Sequence, residues 1–93
     1  MPELVFEIWR DDAASEQSMA QISRQNDNIR AATMPNAALV HSFKAASDFD
    51  AFQTNYDWNR WGNWKPEPDW IERFFTDEEA MVQQAYLEER QIR

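Results

Sequence analysis

Residues 3–9 read E-L-V-F-E-I-W. β-branched and aromatic side chains suit a pleated strand, and no helix cap precedes them. Leu4, Phe6 and Ile8 fall on one face; Val5, Glu7 and Trp9 fall on the other. Only the first set is uniformly apolar, so that face is predicted to meet the core. The next residues, Arg10–Gln17, are polar and contain a turn-like D-D-A-A-S run.

A second clear strand lies at Ala37–Ala45, A-A-L-V-H-S-F-K-A. Plain alternation puts Leu39, His41 and Phe43 on one face and Val40, Ser42 and Lys44 on the other. Residues 18–24 leave two readings open. S-M-A-Q-I-S alternates weakly as a short strand. Met19, Ile22, Asn26 and Ile29 also fit a helical stripe, and no proline or glycine would interrupt one long helix from Ser15 to Ala32. The first reading leaves a helix near Gln25–Thr33, started by Asn26 and Asp27 and closed before Pro35.

Ser47 is placed to cap a helix whose first turn holds Asp48 and Asp50, acids that suit the helix dipole. Phe49, Phe52 and Tyr56 form its apolar stripe, and Gly62 is the natural left-handed residue to stop it. Residues 63–69, N-W-K-P-E-P-D, form an extended, proline-punctuated link. Trp70–Phe75 reads as a short helix or turn. Thr76-Asp77-Glu78-Glu79 is a capping box for a last helix reaching about Gln91. Its apolar stripe, Val82, Ala85 and Tyr86 with Ile92 at the end, is thin.

The expected architecture is α+β: a small, three-stranded, mainly antiparallel sheet covered by helices, in the order β-β-α-β-α-α. The alternative, with one long first helix, is β-α-β-α-α. Residues 1–75 are expected to form one domain. Residues 76–93 are a C-terminal helix packed on that domain or on a partner.

Residues 45–69 hold A-A-S-D-F-D-A-F-Q (45–53), Y-D-W (56–58) and W-G-N-W-K-P (61–66), and this stretch resembles a family of short bacterial proteins for which no activity is known. The family opens with a strand like L-V-F-E-I-W. It continues through an A-x-L-V-x-x-F strand into an A-x-S-x-x-x-A-x-Q helix, then a G-W-G-x-Y/W-K-P-like turn. Here Arg60 stands where that turn has its first glycine. The resemblance covers residues 3–69, implies a short strand rather than a long helix at 18–23, and brings no activity with it.

Composition narrows the function. The chain has 93 residues, 43% apolar, 14% aromatic and 28% charged, which is globular rather than disordered. It has no cysteine, so thiolate metal sites, disulfides and a cysteine nucleophile are excluded. One histidine excludes a multi-histidine metal site, and one glycine excludes a glycine-rich phosphate loop. The net charge is −8, of which residues 47–93 carry −6. Phosphate-gripping proteins need a basic face, so no nucleic-acid partner is expected. No apolar run is long enough to cross a bilayer, and no membrane partner is expected. Met1-Pro2-Glu3 lacks a cationic, apolar leader, and the cytoplasm is the expected location.

Aromatic residues crowd the second half: Phe49, Phe52, Tyr56, Trp58, Trp61, Trp64, Trp70, Phe74 and Phe75. Such rings build a small core efficiently, yet five tryptophans exceed what so small a domain can bury. One or two should therefore be exposed. Indole rings cover apolar area and still offer an N–H, so they suit interfaces. Trp58, Trp61, Trp64, Lys65 and Trp70 are the candidate interaction residues. Lys65 and nearby arginines beside aromatics could stack single strands of nucleic acid, but Asp57, Glu67, Asp69 and Glu72 cancel their charge.

Other constellations have simpler explanations. His41 shares a predicted face with Leu39 and Phe43, and its neighbour Ser42 points the opposite way, so no catalytic triad is indicated. The carboxylate pairs Asp11/Asp12, Asp48/Asp50 and Glu78/Glu79 fall in a turn and at two helix starts, where acids belong. The expected function is a non-enzymatic protein-interaction module with no cofactor, its partner another protein or a second copy of itself. Two alternatives are an acidic regulator covering a basic nucleic-acid-binding partner, and a small-ligand binder with a tryptophan-lined site.

Overall fold

The computed structural model describes residues 1–92; Arg93 and the Ile92 side chain, which ends the predicted apolar stripe, lie outside the described residues. Three strands and three helices follow one another: β1 (Leu4–Asp11), β2 (Glu16–Gln21), α1 (Arg24–Thr33), β3 (Ala38–Ala45), α2 (Asp48–Asn59) and α3 (Asp77–Ile92). The order is β-β-α-β-α-α and the class α+β. The single long first helix does not form. Met19 pairs with Ile8 and Gln21 with Phe6, so residues 16–21 are held as a strand. Ser23 then starts α1 from an extended conformation, its Oγ accepting from the Asn26 N–H at 3.0 Å.

The sheet runs β2-β1-β3, with β1 central and antiparallel to both neighbours. Leu4, Phe6 and Ile8 are buried, as the alternation in β1 predicts. Leu4 and Phe6 pack in one cluster with Ala45 on β3, Ala51 on α2, and Phe75 just before α3. Phe43 stacks on Phe6 with centroids 5.5 Å apart, and Phe75 reaches Phe6 at 6.0 Å. A bulge interrupts the β1–β3 register: Ile8 faces His41, but Trp9 faces Leu39. The extra residue undoes plain alternation, so Leu39 joins the Trp9 side rather than sharing a face with His41 and Phe43.

Three local expectations need correction. The left-handed residue that stops α2 is Arg60 (φ 60°, ψ 40°); Gly62, with φ 89°, lies beyond the cap. Residues 70–75 form no helix. A turn ends at Trp70, and the chain then runs extended to a lone bridge between Phe74 and Ser47. Finally, Phe49, Phe52 and Tyr56 are only half-buried, while Ala51 and Asn55 are the buried positions of α2.

Both predicted caps form. Ser47, wholly buried, accepts from the Asp50 N–H at 3.1 Å. Thr76 Oγ1 accepts from the Glu79 N–H at 3.2 Å, and the Glu79 carboxylate accepts from the Thr76 N–H at 3.0 Å. Beyond its cap, α3 is fastened to the sheet by polar groups. The Gln83 carboxamide accepts from the Val5 N–H at 2.8 Å and donates to the Val5 and Ile22 carbonyls at 2.9 and 3.0 Å. It thereby completes the hydrogen bonding of β1 where β2 has ended.

Candidate interaction face

The segment from Arg60 to Phe75 runs beside α2 and is fixed at both ends. At its start, Gln53 accepts from the Trp64 N–H at 3.0 Å and donates to the Gly62 carbonyl at 3.3 Å. At its end, Ser47 Oγ donates to Glu72 at 2.5 Å, and the Phe75 N–H donates to the Ala46 carbonyl at 2.9 Å. One side-chain amide and one buried hydroxyl thus set the course of a segment that has no helix or strand of its own.

The half-buried stripe of α2 receives this segment. Trp64 sits edge-on to Phe49 at 5.1 Å and stacks on Phe52 at 4.8 Å. Trp61 meets Tyr56 edge-on at 5.3 Å, and Trp70 lies 6.3 Å from Trp64. Trp64 is therefore half-buried as a wedge, whereas Trp61 and Trp70 remain 57% and 51% exposed. Two exposed tryptophans match the number expected from the size of the domain. Ile71 and Phe74 are exposed on the same segment, and so is Lys65.

Trp58 stands apart. It points from α2 to the sheet, where its ring stacks on His41 at 5.3 Å with the planes 10° apart. His41 also stacks on Phe43 at 6.0 Å. The structure thus brings Trp61, Trp64 and Trp70 to one face of α2, carries Lys65 between them in sequence, and uses Trp58 for packing.

A second cluster escapes sequence reasoning. Glu7, on the supposedly outer face of β1, is only 7% exposed. Arg90 clasps it with two hydrogen bonds, at 2.8 and 3.2 Å, and also reaches Asp27 at 3.2 Å. Arg30 pairs with Asp27 at 3.0 Å and lies 3.7 Å over the Trp9 ring, while Tyr86 donates to Asp27 at 2.5 Å. The paired acids hold the Arg90 guanidinium above its ordinary pKa, chiefly through the hydrogen bonding it donates to Glu7. Two carboxylates and two guanidiniums thus neutralise one another under α1 and α3. No pattern within one element announces this cluster, since its members come from β1, α1 and α3.

Among the described residues, no group of three or more His, Asp or Glu side chains is placed to hold a metal ion, and no buried side-chain nitrogen or oxygen lacks a hydrogen-bond partner. Among those residues, no helix is long and apolar enough to cross a membrane. Comparison with protein-family models, with curated proteins and with solved structures finds no match to the chain.

Proposed function

We propose that the chain is a non-enzymatic protein-interaction module, and that Trp61, Trp70, Ile71 and Phe74, around the half-seated Trp64, dock on another protein. The observation that carries this reading is two largely exposed tryptophans on a segment pinned at both ends. Water-exposed indoles are anchors that gain most when a partner covers them. Pinning matters as much, because a pre-ordered segment loses little entropy on binding. Glu67 and Asp69 are exposed beside the anchors, so the fitting partner offers an apolar pocket with a basic rim.

A catalytic role finds less support. His41 is packed between rings, and the buried Glu7 and half-buried Asp27 carboxylates are paired with arginines. The acidic-regulator reading rests on the −6 carried by residues 47–93, and salt separates it from the aromatic one. Tagged protein is incubated with host lysate, washed at low and high salt, and the retained proteins are identified. A partner that survives high salt and is lost with Trp61→Ser and Trp70→Ser supports aromatic docking. A basic partner released by salt favours the acidic regulator. A partner held equally by both variants at high salt overturns the aromatic face.

A further inference from the structure

The apolar stripe of α3 does not turn to the sheet. Tyr86 is buried, but Val82 is 71% exposed and Ala85 is exposed as well. These residues form one wall of a groove of about 520 Å³, whose other wall is the passage from β2 into α1. Buried Leu4 and Ile22 line it across from them. That volume lies within the range of ligand sites. Between Glu78 and Glu89 the α3 wall is about 16 Å long, the length of about three helical turns.

The groove is acidic as well as apolar. Among the described residues that line it, Glu78, Glu79 and Glu89 stand against one cation, Arg24, which is paired with Glu89 and lies 5.1 Å over the Tyr86 ring. Glu79 is held by Arg73 at 2.8 Å, while Glu78 is exposed. We propose that this groove binds a cationic amphipathic helix of a protein partner. Apolar residues at i, i+3, i+4 and i+7 would pack on Leu4, Ile22, Val82 and Ala85, with lysine or arginine toward Glu78. Charge selects this occupant. A second copy brings another −8 against an acidic rim, and nucleic acid is repelled in the same way.

The probe is a synthetic peptide of about 14 residues, enough for nearly four helical turns, with leucines at that spacing and lysines elsewhere. It is titrated into the isotope-labelled full chain while backbone amide shifts are followed. Saturable shifts centred on Ile22, Ser23, Val82 and Ala85 are expected. Val82→Lys, an exposed change that leaves the core intact, should weaken binding about tenfold. The paired change Trp61→Ser, Trp70→Ser should leave this binding unaltered, which separates the groove from the aromatic face. Shifts confined to residues 61–74, non-saturating shifts over all acids, indifference to Val82→Lys, or no shifts would each overturn the proposal. So would groove shifts that grow with protein concentration alone, since they would make the occupant a second copy.

Discussion

Gln83 is polar and lies on an acidic helix, where side chains of its type usually stay in solvent. Three hydrogen bonds to the backbone of Val5 and Ile22 bury it instead. Replacing it with leucine removes the acceptor of the Val5 N–H and the amide donor to the Val5 and Ile22 carbonyls, of which the Val5 carbonyl keeps the Ile22 N–H at 2.9 Å. Orphaned backbone groups cost about 1–3 kcal/mol each, so Gln83→Leu is expected to lower stability by about 2–4 kcal/mol. A urea midpoint unchanged from the parent would show that water replaces the amide freely. Arg60 is the opposite case, a residue whose local cost is plain. Its left-handed backbone strains any side chain. Arg60→Gly is expected to raise stability by about 0.5–1 kcal/mol in the same assay, less than the full strain because glycine also loosens the unfolded chain. A fall in the midpoint would mean that the Arg60 side chain contributes more than its backbone costs.

Elements were legible where the signal is local. Alternation located β1 and its core face, and S-x-x-D and T-x-x-E located the starts of α2 and α3. What failed was set by distant neighbours. The β3 bulge depends on how β1 pairs with it, and the outward stripe of α2 depends on a segment that returns to cover it. The α3 cap adds an acid-sensitive contact. Arg73 donates two hydrogen bonds to Glu79, at 2.8 and 3.1 Å, and with the Thr76 N–H holds that carboxyl down at about 2. A carboxyl lowered in the folded state stabilises above its ordinary range, and that contribution is lost as pH falls from about 4.5 toward 2. The contact faces water, which screens it, so its contribution to stability is small. The stability difference between the parent and Glu79→Gln should therefore be constant above about pH 5 and shrink toward pH 2. A difference independent of pH would assign the effect to the neutral cap alone.

At the scale of the molecule, the sheet has two covered faces built by different chemistry. One is apolar, with Leu4, Phe6, Ala45, Ala51 and Phe75 packed together. The other is closed by the ion pairs of Glu7, Asp27, Arg30 and Arg90. The aromatic face of α2 lies outside both, which explains why the sequence showed that tryptophans must be exposed but not which ones. Trp61 and Trp70 rest on the fold without closing it. Changing both to serine is expected to cost less than about 1 kcal/mol, the usual size of a surface effect. The charged side behaves otherwise. Taking away Arg90 alone leaves the buried Glu7 with the Trp9 indole N–H at 3.1 Å and the Arg30 guanidinium at 4.0 Å, so Arg90→Met should cost about 2–3 kcal/mol. The double change Glu7→Leu, Arg90→Met removes the stranded charge together with its partner, and should recover much of that loss. Equilibrium unfolding of the four members of this cycle gives the coupling directly. A double variant as unstable as the sum of the single ones would mean that Glu7 and Arg90 act independently, and that the second face is held by packing rather than by charge.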